Sequence, residues 1–398
     1  MLYRPMGKTG DAVSVLGYGC MRFPMKNRKI DEARTERQLF SAIDRGLNYL
    51  DTAFIYTRSE ETLGRILAKG YRDKVKIATK LPPFLVYSRK DMDAILETQL
   101  KRLRTGHIDY YLIHSLASWE GWERLKGLGV REFLEDARRA GTIGHIGFSF
   151  HGNINNFKRI IDDYSWESCL LQYNYLDERF QAGTEGLEYA AARGLGVAVM
   201  EPLRGGLLVR KMPAEAQKIW DEAAVKRSPA EWALRWVWDH PQVSTVLSGM
   251  GEEREIDENV RIAGEALPHS LTGQELALVE RVKRVMEKLI RVGCSGCSYC
   301  MPCPFGVDIP SCFAYYNDKH LFGEFLPQIK YLVISSGLFG GRPSFASLCR
   351  GCGKCEEHCP QHLPIRARLK EVARDMENIW TRMLMRAVKI IFRIIPRK

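Results

Sequence analysis

Eight times between residues 13 and 247 a short apolar run is followed by an amphipathic stretch, and few folds accept that count. The runs fall at 13–16, 49–50, 75–80, 108–113, 143–148, 169–173, 196–200 and 243–247. Patterns of helical period lie between them at 35–45, 59–69, 92–103, 133–140, 155–162, 184–192 and 229–238. A run that is apolar throughout reads as a strand buried on both faces, and a helix between strands is the crossover that a parallel sheet needs. Eight such units close a (β/α)8 barrel more naturally than they build an open sheet. A doubly wound open sheet is the alternative, and it stands lower because no early Gly-x-Gly-x-x-Gly follows a strand.

At 398 residues the chain outruns a TIM barrel of roughly 250 residues, so something is appended. Helical patterns at 254–266 and 274–290 belong on the outside of the barrel, and Val292-Gly293 marks a boundary. The expected α/β organisation is a barrel over 1–290, a small, mainly helical region over 291–372 and an amphipathic helix over 373–398. With 45% hydrophobic and 27% charged residues, the composition suits a globular chain with a sizeable core.

In parallel barrels the chemistry sits at the C-terminal ends of the strands. The stretch Gly46-Leu47-Asn48-Tyr49-Leu50-Asp51-Thr52-Ala53-Phe54-Ile55-Tyr56 ends an apolar run in a carboxylate and puts a phenol on the loop beyond. Lys80 closes the third run and His114 follows the fourth. Carbonyl reduction needs a proton donor for the developing alkoxide; Tyr56 has the right group, although a free phenol titrates near ~10. A neighbouring Lys80 ammonium would lower that value, Asp51 would hold the ammonium, and His114 could hydrogen-bond the carbonyl oxygen. Taken singly, these residues read equally as a helix cap, a solvated strand end and a core imidazole. Together, on the edge where barrels work, they form a candidate catalytic set.

The same stretch resembles the signature of the aldo/keto reductases, in which Gly, Asn, the strand-end Asp, Thr-Ala and the later Tyr recur at these spacings. Further stretches match that family in order. Gly144-His145-Ile146-Gly147-Phe148-Ser149 looks like its fifth-strand motif, and the resemblance implies that Ser149 and Gln172, in Leu171-Gln172-Tyr173-Asn174, meet a nicotinamide carboxamide. Met200-Glu201-Pro202-Leu203-Arg204-Gly205-Gly206-Leu207 is similar to the loop that folds over the cofactor, which implies contacts from Met200, Pro202, Leu203 and Gly205. Ser248, Gly249, Arg254, Glu258 and Asn259 resemble the segment for the adenine ribose and its phosphate, where a helix N-terminus suits an anion. The implied reaction is hydride transfer between NADPH or NADH and a carbonyl or alcohol substrate. The chain departs from the family at Met200, where an aromatic ring often stacks, at Phe150, where Asn often follows the Ser, and at Glu255, where Arg or Gln is common. A carboxylate at 255 would repel a 2′-phosphate, which keeps NADH level with NADPH.

Nine of the eleven cysteines follow residue 290, a clustering that in a cytosolic chain means metal rather than disulfides. Cys294-x2-Cys297-x2-Cys300-x2-Cys303-Pro304 and Cys349-x2-Cys352-x2-Cys355-x3-Cys359-Pro360 follow the two-cluster ferredoxin pattern. In that pattern three thiolates wrap one cube and the Cys-Pro cysteine reaches its neighbour. One [4Fe-4S] cluster then takes Cys294, Cys297, Cys300 and Cys359, and the other Cys349, Cys352, Cys355 and Cys303. A pair of zinc sites is the alternative, but zinc motifs present their cysteines as separate pairs. Cys20, Cys169 and Cys312 lie outside the spacing and read as buried thiols. A hydride moves two electrons together and a cluster moves one, so the clusters pass electrons through another cofactor, serve a redox partner protein, or fasten the region. The competing reading is a ferredoxin-like electron carrier or redox sensor whose barrel binds a partner or ligand without hydride transfer.

The net charge of +11 is uneven: residues 365–398 hold ten Lys or Arg against three carboxylates, which puts +7 there and +4 before it. Trp380, Leu384, Val388, Phe392 and Ile395 recur at helical spacing, apart from Arg382, Arg386, Lys389 and Arg393. A basic amphipathic helix suits an anionic membrane surface or a partner groove, and equally a helix docked on its own protein. Its aromatics point away from its charges, which disfavours nucleic acid. No apolar run approaches the ~18 residues of a membrane span, and no apolar signal core accompanies Arg4 and Lys8. The expected place is the cytoplasm, peripheral to a membrane at most.

Overall fold

The computed structural model of the chain describes residues 1–378 and 383, apart from 211, 295, 297–299, 338–341 and 360–361. The expected helix at 380–395 therefore lies outside the described residues, save residue 383. At the centre is a closed barrel of eight parallel strands. They are β1 (Leu16–Gly19), β2 (Tyr49–Asp51), β3 (Lys76–Leu81), β4 (Ile108–Leu116), β5 (Ile143–Phe150), β6 (Ser168–Gln172), β7 (Gly196–Met200) and β8 (Val243–Ser248). Neighbours follow chain order, and β8 returns to β1 with Val246 opposite Leu16. Helices α1 (Glu32–Asp44), α2 (Ser59–Leu67), α3 (Arg89–Leu103), α4 (Val130–Arg139), α5 (Ile154–Asp163), α6 (Gly183–Ala192), α7 (Pro229–Trp238) and α8 (Glu253–Ala263) follow the strands in turn, and α9 (Gly273–Lys288) comes after them.

The period of two along each strand sorts residues between two cores. Tyr49, Ala78, Tyr110, Leu112, Leu170, Ala198 and Leu247 point inward and fill the barrel. Their neighbours, among them Ile77, Tyr111, Ile113, Leu171 and Val199, point outward into the larger layer beneath the helices. Space inside is tight. A Cβ on Gly17 would stand 2.8 Å from the Leu247 side chain.

That glycine explains where the first strand departs from expectation. Val13 and Val15 favour a strand at 13–16, whereas Gly17 and Gly19 look like turn residues. Instead Ala12–Ser14 pairs antiparallel with Tyr3–Pro5, and the barrel strand starts at Leu16. The hairpin plugs the N-terminal end of the barrel: Met6 and Val13 join the inner core. Arg4, also buried, donates to the carbonyls of Trp238 (2.6 Å), Val243 (2.8 Å), His240 (3.0 Å) and Ala266 (3.0 Å).

A second core follows the barrel. Helices α10 (Ile309–Phe322), α11 (Leu326–Ser335) and α12 (Ile365–Met376) bury Val307, Phe313, Tyr316, Tyr331, Leu369 and Val372 together. Phe322, at the end of α10, packs instead in the barrel's outer core. Among the described residues no helix is long and apolar enough to cross a membrane.

The Arg4 clasp gives a stability prediction. Arg4→Met strands four carbonyls that now share one guanidinium, and should lower unfolding free energy by about 3 kcal/mol. Urea denaturation checks it: the midpoint falls while the slope stays unchanged.

Candidate active site and cysteine centre

The inward register that fills the barrel also delivers its polar residues to one mouth. Tyr49 and Asp51 share the inner face of β2, and Asp51 stands opposite Ala78 of β3, two residues before Lys80. Tyr110, Leu112 and His114 repeat this spacing on β4. Leu170 with Gln172, and Ala198 with Met200, do so on β6 and β7.

Lys80 Nζ donates to both carboxylate oxygens of Asp51 at 2.7 Å and to the Thr52 carbonyl at 2.6 Å. Burial works against the ammonium, but Asp51 outweighs it, and Lys80 is held above its ordinary range. The ammonium lies 5.2 Å from the centre of the Tyr56 ring. The His114 ring meets that phenol edge-on, with centres 6.1 Å apart. Tyr56 itself is half-buried. Burial pushes its hydroxyl above the ordinary phenol value while Lys80 pulls it down, so the downward influence expected of Lys80 is present but outweighed. Burial, then Lys80 and His151, push His114 well below the usual imidazole range and keep it neutral.

A support layer that sequence reasoning missed stands behind Lys80. Buried Glu60 accepts from Thr79 Oγ1 (2.6 Å), Gln99 Nε2 (2.9 Å) and Arg102 Nη1 (3.2 Å), and Gln99 also donates to the Lys80 carbonyl. The signal available was a Glu one residue into α2, indistinguishable from an exposed first-turn carboxylate. Gly46 and Asn48 of the signature stretch serve the scaffold. Asn48 clasps the N-terminal hairpin by accepting from Ser14 N (2.7 Å) and donating to the Ala12 carbonyl (2.9 Å).

The residues expected at a dinucleotide lie around the same mouth, several with partners of their own. Ser149 Oγ accepts from Ser115 N at 2.7 Å. Gln172 Nε2 donates to Asp177 at 2.8 Å. Asn259 Nδ2 donates to Ser248 Oγ at 3.0 Å. Glu258 accepts from Ser228, the cap of α7. Phe150 packs outward against Phe157 of α5, ring centres 5.0 Å apart. Arg22, on the loop after β1, was not foreseen: it donates to the Gly205 carbonyl at 3.2 Å and its Cβ passes within 3.8 Å of where a Gly249 Cβ would lie. Arg254 is exposed. Glu255 is spent on the α8 N-terminus, accepting from the Gly251 and Glu252 amides at 2.9 and 3.1 Å. Arg34 pairs with Glu252 and Glu253 beside it, so three carboxylates crowd that helix end.

Trp122 is fully buried and donates to Asp163, a packing role, while Tyr87 is largely exposed and Phe54 carries Arg102 on its ring.

Six of the eight motif cysteines, Cys294, Cys300, Cys303, Cys349, Cys355 and Cys359, pack against the second core; Cys352 is exposed and Cys297 lies outside the described residues. Burial, then Glu356 and Cys349, push the Cys355 thiol up to about 11. Among the described residues no three side chains close to metal-binding distance. The donors gathered are soft sulfurs, a set that fits iron-sulfur clusters. Cys20, Cys169 and Cys312 are buried.

The aldo/keto reductase family model matches residues 15–282. This chain belongs to the aldo/keto reductase family. A 4Fe-4S dicluster domain matches residues 293–363, C-terminal to the reductase barrel. The chain is 31% identical over 230 residues to the uncharacterized oxidoreductase YrpG of Bacillus subtilis, covering 52% of this chain and 68% of that protein. It is 24% identical over 330 residues to L-glyceraldehyde 3-phosphate reductase of Escherichia coli O157:H7, covering 71% and 92%. Among solved structures it is similar to the holo form of an aldo-keto reductase from Bacillus halodurans, with 27% identity, TM-score 0.59, and coverage of 71% of this chain and 96% of that one.

A pH prediction follows from the mouth of the reductase barrel. Burial pushes His151 down to about 4, with Glu201 raising it and Lys330 lowering it further. The unfolded imidazole takes up its proton near 6.5, so the unfolded chain binds more protons between those values and stability falls as pH drops through that window. The share from His151 is up to about 3 kcal/mol. Chemical denaturation at pH 7 and pH 4.5 should show His151→Gln losing less stability on acidification than wild type.

Proposed function

We propose that this aldo/keto reductase transfers a hydride between a nicotinamide dinucleotide and a small carbonyl or alcohol substrate, with Tyr56 as proton donor. The observation that carries this reading is the Lys80 amine, fully buried in a bidentate pair with Asp51 directly beside the Tyr56 ring. A buried ion pair is poor value as a stability device, which argues that its charge serves the phenol. The nicotinamide, when bound, supplies or accepts the hydride. Tyr56 gives its proton to the carbonyl oxygen as charge develops there, and the Lys80 ammonium stabilises the phenolate left behind. Neutral His114 offers an N–H to the same oxygen, and Asp51 keeps the ammonium from swinging into the site.

Ser149, Gln172, Met200, Pro202, Leu203, Gly205, Ser248, Gly249 and Asn259 line the expected course of the dinucleotide. Arg22, between the Gly205 and Gly249 edges, would meet its phosphates. The carboxylates capping α8 speak against a 2′-phosphate and favour NADH. Eight cysteines would hold two [4Fe-4S] clusters in the crossed assignment given above, which supply single-electron transfer or fasten the region. Exposed Cys352 marks the face where a redox partner protein would approach. The basic segment 380–395 would touch an anionic membrane surface, and liposome co-sedimentation that survives its deletion would rule that out.

Two measurements test these readings. Tyr56→Phe should lower turnover of an aldehyde panel with NADH by about 10² to 10⁴ while leaving nucleotide affinity within about twofold; retained turnover would move the proton to another group. Anaerobic purification should give about eight iron and eight sulfide per chain, and Cys303→Ala about four of each; zinc in their place would restore the alternative reading. A wild type that binds neither NADH nor NADPH at millimolar concentration would favour the electron-carrier reading.

A further inference from the structure

The loop after β7 is strained at both ends. Glu201 and Arg204 hold φ of +58° and +52°, and Gly205 and Gly206 follow at +70° and +88°. Left-handed backbone is unfavourable for residues with a side chain and persists where surroundings impose it. Here the surroundings come from the cysteine-rich region. Lys330 Nζ of α11 donates to Glu201 Oε2 at 2.6 Å, and lies 3.4 Å from where a Gly205 Cβ would stand. Asp318 of α10 lies 2.7 Å from Arg204 Nη2, which also reaches Asp177 at 3.1 Å. Asp177 in turn accepts from Gln172 and from Asn174, whose amide donates to the Glu201 carbonyl. Gln172, Asp177, Arg204 and Asp318 are all buried. An unbroken polar line therefore runs from the end of β6 into α10. The residue before Asp318, Asn317, clasps Arg291 and Val292 just before Cys294.

We propose that Asp318 and Lys330 are positioning residues of the barrel site: acting through Arg204 and Glu201, they fix residues 201–206 in the arrangement that receives a dinucleotide. The proposal rests on the nicotinamide reading above and adds that the appended region completes the binding site. Without Lys330, Glu201 loses the cation paired directly with it and keeps only the field of Arg22 and His151, so more negative charge faces an anionic ligand, and the strained loop loses its anchor to α11.

The test uses the full chain with its clusters, in wild type, Lys330→Met, Lys330→Arg and Asp318→Asn. NADH affinity is read by fluorescence, and backbone order by amide exchange over 201–208. Lys330→Met should weaken NADH about tenfold and speed exchange at 201–208 by at least about tenfold, with Lys330→Arg restoring both to within about twofold. Asp318→Asn should act in the same direction and stands in if Lys330→Met fails to fold. Unchanged affinity and unchanged exchange in a folded Lys330→Met, even with a lower thermal midpoint, would overturn the proposal and leave a pair that merely joins two regions. A wild type that binds neither NADH nor NADPH would instead end the nicotinamide reading, and exchange at 201–208 would then decide alone whether α10 and α11 order the loop.

Discussion

A buried ammonium sets the terms for the rest of this molecule. Removing Lys80 and Asp51 from water costs several kcal/mol for each ion, and only a tight bidentate geometry with every proton satisfied offsets it. Lys80 meets that condition with two carboxylate oxygens and one carbonyl. The condition requires β2 and β3 to be neighbours in one register, because Asp51 opposes Ala78 and only then does Lys80 fall one inward step beyond. It also requires β3 not to slide, which the Glu60, Thr79 and Gln99 cluster prevents from the helix side. Closure of the barrel, the plug beneath it and the support behind it all keep two strand ends where one charge pair can survive.

Strand pairing made much of this legible beforehand. An inward residue at the C-terminal end of a barrel strand is identified by counting in twos from the apolar residues before it, which finds Asp51, Lys80, His114 and Gln172 without a structure. Metal-ligand spacing is local in the same way, so the cysteine runs could be read directly. The first strand was misplaced because Gly17 serves the width of the barrel interior, a constraint set by Leu247 more than two hundred residues away. Phe150 and Glu258 were hard to place for a similar reason: their outward partners, Phe157 and Ser228, come from helices whose orientation the sequence alone does not reveal.

Least legible were the charges between barrel and cysteine-rich region. Arg204, Asp318, Glu201 and Lys330 each look like ordinary surface residues in sequence, and pairs so far apart in the chain leave no periodic trace. Yet Arg204 and Asp318 are among the more deeply buried ions in the structure. Burial there is strong enough to matter: it raises the Asp318 carboxyl to about 7, outweighing the downward pull of Arg204 beside it. Such an arrangement holds only while both halves are in place, since removing either leaves an unpaired charge in low dielectric.

That mutual dependence bears on how a reductase barrel and a 4Fe-4S dicluster region share one chain. The loop after β7 adopts left-handed backbone at two non-glycine positions while its side chains reach into α10 and α11. The first cysteine run adjoins the same place, because Gly296 packs so closely on the Arg179 carbonyl of the loop after β6 that a Cβ would come within 2.5 Å. A tether or a storage module would need no such intimacy and could sit on any helix of the outer ring. Buried charge, Phe322 and a left-handed glycine join the cysteine-rich region to the mouth of the barrel. Removing either side of the Arg204–Asp318 pair leaves a buried charge unpaired on the other, a dependence that acts through packing and charge alone.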